Sequence, residues 1–361
     1  MIRYFFTAFV FVSTAPTFAE DATHPFCVHD MLAMDRISAP QVSPDGKSVV
    51  FVLRKTDLEA NKGRTDLWMV RTDGSDLRRI TSHPASEGNP RWSPDGKWVY
   101  FLAARGDSSQ VWRIAKDGGE AEQVTKQPLD VGALAVSHDG LQLAIAMEVF
   151  PGTTPAETKA RLDEKAKKKA SGRIYDKLMV RHWDSWKDGL RSHVFAVPVW
   201  GGEAVDVMKT MDADSPSKPF GGPEEFTFAP DDQSIIFTAK DAHRDEAWST
   251  NFDLFAAPID GESPPVALTN KNSAWDTAPV FSPNGKLAYL AMTRPGYEAD
   301  RYKIIVKASP AANSQPITTD WDRSPSAIAW SADEMSIYAI ADNLGQHSLF
   351  EVNVATTAVK T

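Results

Sequence analysis

Cysteine is almost missing from this chain. Its single occurrence, Cys27, excludes an internal disulfide and a thiolate-rich metal centre. With nothing nearby to form a thiolate pair, it reads as an idle or buried thiol. The eight histidines are scattered without metal-ligand spacing, and H-E-x-x-H and Walker-type loops are both lacking. No metal and no cofactor are expected. Nor is there a G-x-S-x-G elbow or a grouping that makes a Ser-His-Asp triad, so no residue is assigned a catalytic role. Positive charge is short as well. The 39 Lys and Arg against 48 Asp and Glu leave a net −9, which excludes nucleic acid as a main partner, because phosphate binding needs a dense basic face.

Long hydrophobic runs are lacking too. The apolar stretch in "MIRYFFTAFVFVSTAPTFA" is shorter than the roughly 20 residues of a spanning helix. It follows the basic Arg3 and gives way to small residues ending in Thr17-Phe18-Ala19. That order is a secretory signal peptide over residues 1–19, cleaved after Ala19. A periplasmic or secreted protein, free of the membrane once the signal is removed, is expected.

What the chain does have is a repeat. The turn reads SPDG at 43–46 and 93–96, SHDG at 137–140, APDD at 229–232, SPNG at 282–285 and SADE at 331–334. Successive starts differ by 50, 44, 92, 53 and 49, and all but one interval fit the roughly 40–50 residues of a propeller blade. An apolar residue precedes every turn: Val42, Trp92, Val136, Phe228, Phe281 and Trp330. Proline presets φ, Asp tolerates tight geometry and Gly supplies φ > 0, so each turn joins two strands as a hairpin. A third strand and a "DG" or "GG" turn to a fourth follow, and five units end on Thr81, Thr125, Thr269, Thr318 and Thr361.

Four-stranded sheets with two apolar faces must pack against like sheets. The reading is therefore all-β: a β-propeller of four-stranded blades, six of them visible. The blades are placed near 39–81, 89–125, 131–210, 224–269, 277–318 and 326–361, after a lead-in over 20–38. The turns themselves are scaffold.

The long interval holds an insertion at 151–190 in the third blade. "TTPAETKARLDEKAKKKASG" predicts a helix capped by Thr154 and Glu157, with Pro155 in its first turn. Glu157–Arg161, Asp163–Lys167 and Glu164–Lys168 are its expected i,i+4 pairs, and Gly172 its stop. Beyond it, "YDKLMVRHWDSWKDG" is denser in aromatic and charged residues than a plain connection needs. Two readings stand. Either Arg181 and Asp184 face a ligand, or they pair while Trp183 and Trp186 plug the channel. His182 is read as structural. A second acidic spot, Glu224-Glu225 in "GGPEEF", suits either a substrate α-amine or strand-end solvation. Arg181, Asp184, Glu224 and Glu225 are thus the candidate substrate-binding residues.

Several phrases are more specific than the turn: "DMLAMDRISAPQVSPDG", "RTDLWMV", "RHWDSWKDG", "EEFTFAPDD", "AWSTNFDLF", "RPGYEADR" and "WDRSPSAIAWSAD". On these the whole mature chain resembles the N-terminal propeller of exported bacterial serine peptidases of the prolyl oligopeptidase family, in their dipeptidyl-peptidase and acylaminoacyl-peptidase branch. The resemblance implies seven blades and an α/β-hydrolase domain carrying Ser, Asp and His. That domain is absent from these 361 residues, so no triad position carries over. It also implies that the propeller gates short peptides and, in dipeptidyl members, helps bind their N-terminus, with this chain inactive alone. The alternative is a self-standing TolB-like periplasmic binding propeller.

Overall fold

A computed structural model describes residues 24–361; the signal peptide assigned to 1–19 lies outside the described residues. Six four-stranded antiparallel sheets follow one another along the chain, over 36–79, 87–123, 131–206, 226–267, 276–316 and 325–360. They are blades 1 to 6 of an all-β propeller. Within each blade the strands pair in sequence order, a meander that needs only tight turns. A short helix, α1 (Val28–Ala33), precedes blade 1, and the exposed Cys27 caps it.

The repeated turn is a hydrogen-bonded unit. The serine hydroxyl donates to the aspartate two residues on, at 2.6 Å in Ser43–Asp45, Ser93–Asp95 and Ser137–Asp139 and at 2.7 Å in Ser331–Asp333. The same oxygen accepts the N–H of Ser48, Trp98, Gln142 and Ser336, which closes the hairpin. The terminal threonines have a matching role. Thr81, Thr125, Thr269 and Thr318 accept the N–H of Leu67, Val111, Leu254 and Ile304 at 2.8–2.9 Å, tying the end of each blade to its third strand. Blade 3 has no such threonine, and Met208 Sδ accepts the Val194 N–H instead, at 3.3 Å. Thr361 is exposed and outside this pattern.

Two turns lack the glycine. Asp232 and Glu334 hold its place at φ 56° and 59°, a region that costs a non-glycine residue roughly 1–2 kcal/mol. Both side chains reach back to the preceding blade. Asp232 accepts from the N–H groups of His138 and Asp139 at 2.9 and 2.8 Å. Glu334 accepts from Asn284 N–H at 2.6 Å and pairs with Lys286. The latch at Asp232 requires a donor at 138, which the proline of the usual SPDG lacks. Where glycine is kept, the preceding proline packs against it instead: a Cβ on Gly96 or Gly285 would lie 3.7 or 3.6 Å from Pro44 or Pro230.

Among the described residues, buried apolar side chains form five clusters, one between each pair of successive blades. None joins blade 6 to blade 1. In blade 6, Ile337, Ala339 and Ala341 are buried, while Tyr338, Ile340 and their neighbour Leu349 are 42, 43 and 61% exposed. Blade 1 leaves Ile37 and Val42 exposed on its face away from blade 2. The second strands of the other blades are buried on both faces. Blade 6 therefore has an apolar face without a partner, and blade 1 is uncovered at Ile37 and Val42 although Phe51 and Leu53 are buried on the same side.

Between the second and third strands of blade 3 the chain makes an excursion through helix α2 (Pro155–Lys167) and a two-stranded ribbon, Arg181–His182 with Ser185–Trp186. The Thr154–Glu157 capping box forms as the sequence implies. The three expected i,i+4 pairs do not. Glu157 is taken up by the cap, Arg161 lies over the Phe150 ring at 3.9 Å, and Asp163 pairs with Lys159 at 2.6 Å. The helix stops at Lys167, five residues before Gly172, so Lys168 is already extended.

Candidate functional site

Because strands alternate in direction, the excursion, the 240–252 loop of blade 4 and the 207–225 connection between blades 3 and 4 all lie at the end of the propeller opposite the SPDG turns. Charge holds these three segments together. Arg191 donates to Asp212 at 2.8 Å, to Asp214 at 2.9 Å and to Glu246 at 2.7 and 2.8 Å. Lys187 adds bonds to Asp214 and Glu246 at 3.1 and 3.0 Å. Burial pushes the Glu246 carboxyl up, but the hydrogen bonds and charge of Arg191 and Lys187 outweigh it and hold the group at about 2. The clamp ties the base of the excursion to the body.

Beside it, a cleft of about 430 Å³ opens between the inner strand of blade 3 and the 216–222 loop. Gly132, Glu148, Ser192, Ser217 and Lys218 line it, with Gly221 and Gly222 at one edge. Glu148 and Lys218 are paired.

The two acids of "GGPEEF" part company here. Glu225 is buried, and its oxygens accept the Ser217 N–H at 2.5 Å and the Ser217 hydroxyl at 2.8 Å. Burial pushes its carboxyl up to about 7, against the Ser217 bonds and with the help of the Glu224 charge. It shapes the loop. Glu224 is exposed at the cleft's edge, its carboxylate against Gly222.

Arg181 and Asp184 are both exposed on the ribbon. Arg181 lies over the Trp186 ring at 5.5 Å and makes no ion pair with Asp184 among the described residues. The ribbon meets the loop through one aromatic contact, Trp183 edge-on to Phe220 at 5.5 Å. His182 is half-buried beside Lys187, Asp214 and Glu246.

One residue escapes a motif search. Arg91 stands on the inner strand of blade 2 (Glu87–Trp92), half-buried. Burial depresses its guanidinium, and the opposing charge is Glu224. The repeat itself holds the signal. The matching position two residues before each turn is Gln41, Ala135, Thr227, Val280 or Ala329 in the other blades, all uncharged. Among the described residues, His24, Cys27 and the half-buried Asp30 form a metal-like grouping, and Asp30 is already occupied by the Cys27 N–H at 2.7 Å.

The TolB β-propeller domain family matches residues 32–151. A dipeptidyl-peptidase 5 of Porphyromonas gingivalis is 32% identical over 334 residues, covering 91% of this chain and 48% of its own length. Dipeptidyl-peptidase 5 homologues thus cover most of this chain, and the likeness is to its propeller. A dipeptidyl-peptidase 5 of Trichophyton schoenleinii is 30% identical, over 88% of this chain and 47% of its own length. The acylaminoacyl peptidase of Pyrococcus horikoshii superposes with a TM-score of 0.64 at 17% identity, over 92% of this chain and 46% of that one, a likeness of fold. The family propeller here spans about half the length of the curated relatives it matches.

Proposed function

We propose that this propeller gates a serine exopeptidase-like hydrolase that acts on short peptides from the N-terminus. On this reading it works outside the cytoplasm once residues 1–19 are removed. Glu224 carries the reading: an exposed carboxylate against Gly222, a residue that lines the cleft, on a loop that its neighbour Glu225 holds in place. A carboxylate so placed suits a peptide α-amine through charge-assisted hydrogen bonds. Arg181 and Asp184, on the ribbon anchored by Trp183 and Phe220, flank the approach as further peptide contacts.

The uncovered faces of blades 1 and 6 suit the seven-blade design that the family resemblance implies. A self-standing six-blade ring would need a core between those faces, and the described residues form none. On this reading the chain alone cuts nothing. Dipeptidyl and acyl-aminoacyl chromogenic amides stay intact in its presence, whereas turnover blocked by a serine-directed inhibitor would overturn that statement. The amine contact is tested by isothermal titration of the 361-residue chain with alanyl-alanine amide and its N-acetyl form. The free amine binds at least tenfold tighter, and Glu224→Gln removes the difference; equal binding of the two forms sinks the proposal.

A further inference from the structure

Among the described residues, Arg91 is a half-buried cation on the inner strand of blade 2 that has no ion-pair partner. The other two arginines of blade 2 are matched: Arg105 pairs with Glu87 and Arg113 with Glu122. Arg91 donates only to its neighbour's carbonyl, Pro90 O, at 2.7 Å, and has no carboxylate partner among the described residues. Strand alternation fixes its direction. Trp92 faces blade 1, where its Nε1 donates to Gln41 O at 3.0 Å, so Arg91 faces blade 3 with its cross-strand partner Tyr100. Blade 3 contributes the exposed Gly132 to the cleft, a residue with no side chain to fill it. Glu224 enters from the Pro223–Glu225 turn, which packs on the same strand of blade 3, Val131–Val136, as the strand of Arg91 does; its charge acts on Arg91, yet the two do not pair.

An unpaired, partly desolvated guanidinium is costly, and a bidentate carboxylate is the ligand that best relieves it. We propose that Arg91 receives a carboxylate of the short peptide whose α-amine Glu224 holds, so that the site favours peptides with an acidic group within their first two residues. The proposal rests on the amine-binding reading of Glu224. Two sources supply such a carboxylate, an acidic side chain or the C-terminus of a dipeptide.

Isothermal titration of the 361-residue chain separates them with three probes: glutamyl-alanine amide, glutaminyl-alanine amide and glutaminyl-alanine with a free C-terminus. The first, the third or both bind wild type at least tenfold tighter than the second, and the stronger of the two names the source. Arg91→Met erases that preference and leaves glutaminyl-alanine amide binding unchanged. Arg91→Lys keeps the charge but loses the fork, so it retains a reduced preference and serves if the Met variant fails to melt cooperatively. No preference in wild type, or a preference undiminished in either variant, overturns the proposal. If Glu224→Gln leaves every affinity unchanged while Arg91→Met abolishes the preference, the amine reading falls and the carboxylate site stands.

Discussion

Asp232→Gly restores the residue that blades 1, 2, 3 and 5 carry at this turn position, and consensus alone predicts that it stabilises. Relief from φ 56° is worth roughly 1–2 kcal/mol. The tertiary structure predicts the opposite. Asp232 is 6% exposed, and its carboxylate accepts from His138 N, His138 Nδ1 and Asp139 N at 2.8–2.9 Å. Hydrogen bonds to a charged group contribute about 1.5–3 kcal/mol each. The two backbone bonds alone therefore outweigh the strain, and a net loss of about 1–5 kcal/mol is expected after the strain relief is subtracted. Urea denaturation followed by tryptophan fluorescence reads this as a lower midpoint at unchanged slope. Adding His138→Pro to Asp232→Gly recreates the proline-on-glycine packing of the other turns and recovers much of the loss, a coupling of the two sites. An unchanged or higher midpoint for the single glycine variant, with amide protection of His138 and Asp139 intact, refutes the latch.

The raised carboxyls set a pH slope. Glu225 and Asp276 both titrate at about 7 because burial disfavours their charged forms; each keeps its proton to higher pH folded than unfolded. Their stabilisation is complete below about pH 4, declines as pH rises, and is lost through about 7, up to about 3 kcal/mol for Glu225. Glu225→Gln should flatten the fall in melting temperature between pH 4.5 and 7; an unaltered slope refutes the assignment. Glu246 has the opposite sign: held at about 2, its contribution is present above its unfolded value and lost as pH falls from 4.5 to 2. Arg191→Met leaves Asp214 and Glu246 to Lys187 and Asp212 to Lys177, costs less than the roughly 3–5 kcal/mol of a wholly uncompensated buried charge, and exposes the excursion to limited trypsin digestion; wild-type resistance would contradict the clamp. Thr125→Val leaves the buried Val111 N–H without its acceptor and lowers stability by about 1–3 kcal/mol, read as a drop in melting temperature.

Where sequence reasoning went astray, an unforeseen partner close by in the chain won. The pair Glu224-Glu225 reads as a unit, but Ser217 draws Glu225 inward and leaves only Glu224 outside. The helix pairs expected within α2 lose to a cap and to Phe150. Arg181 and Asp184 are close in sequence but unpaired, since Trp186 offers Arg181 an aromatic face.

The chain's own sequence determines the blades. A serine, an aspartate and a glycine within four residues close the hairpins of blades 1 to 3, and a threonine some fourteen residues past its partner N–H closes four of the sheets. Such bonds are local, so they repeat and can be read as a period. Tertiary structure alone decides the rest. It matches Asp232 to His138 across 94 residues and Arg191 to Glu246 across 55, and it leaves Arg91 without a partner. It also leaves one apolar face of blade 6 bare and blade 1 uncovered at Ile37 and Val42. These outcomes depend on which surfaces meet between blades, and a contact made once, far along the chain, leaves no period to read.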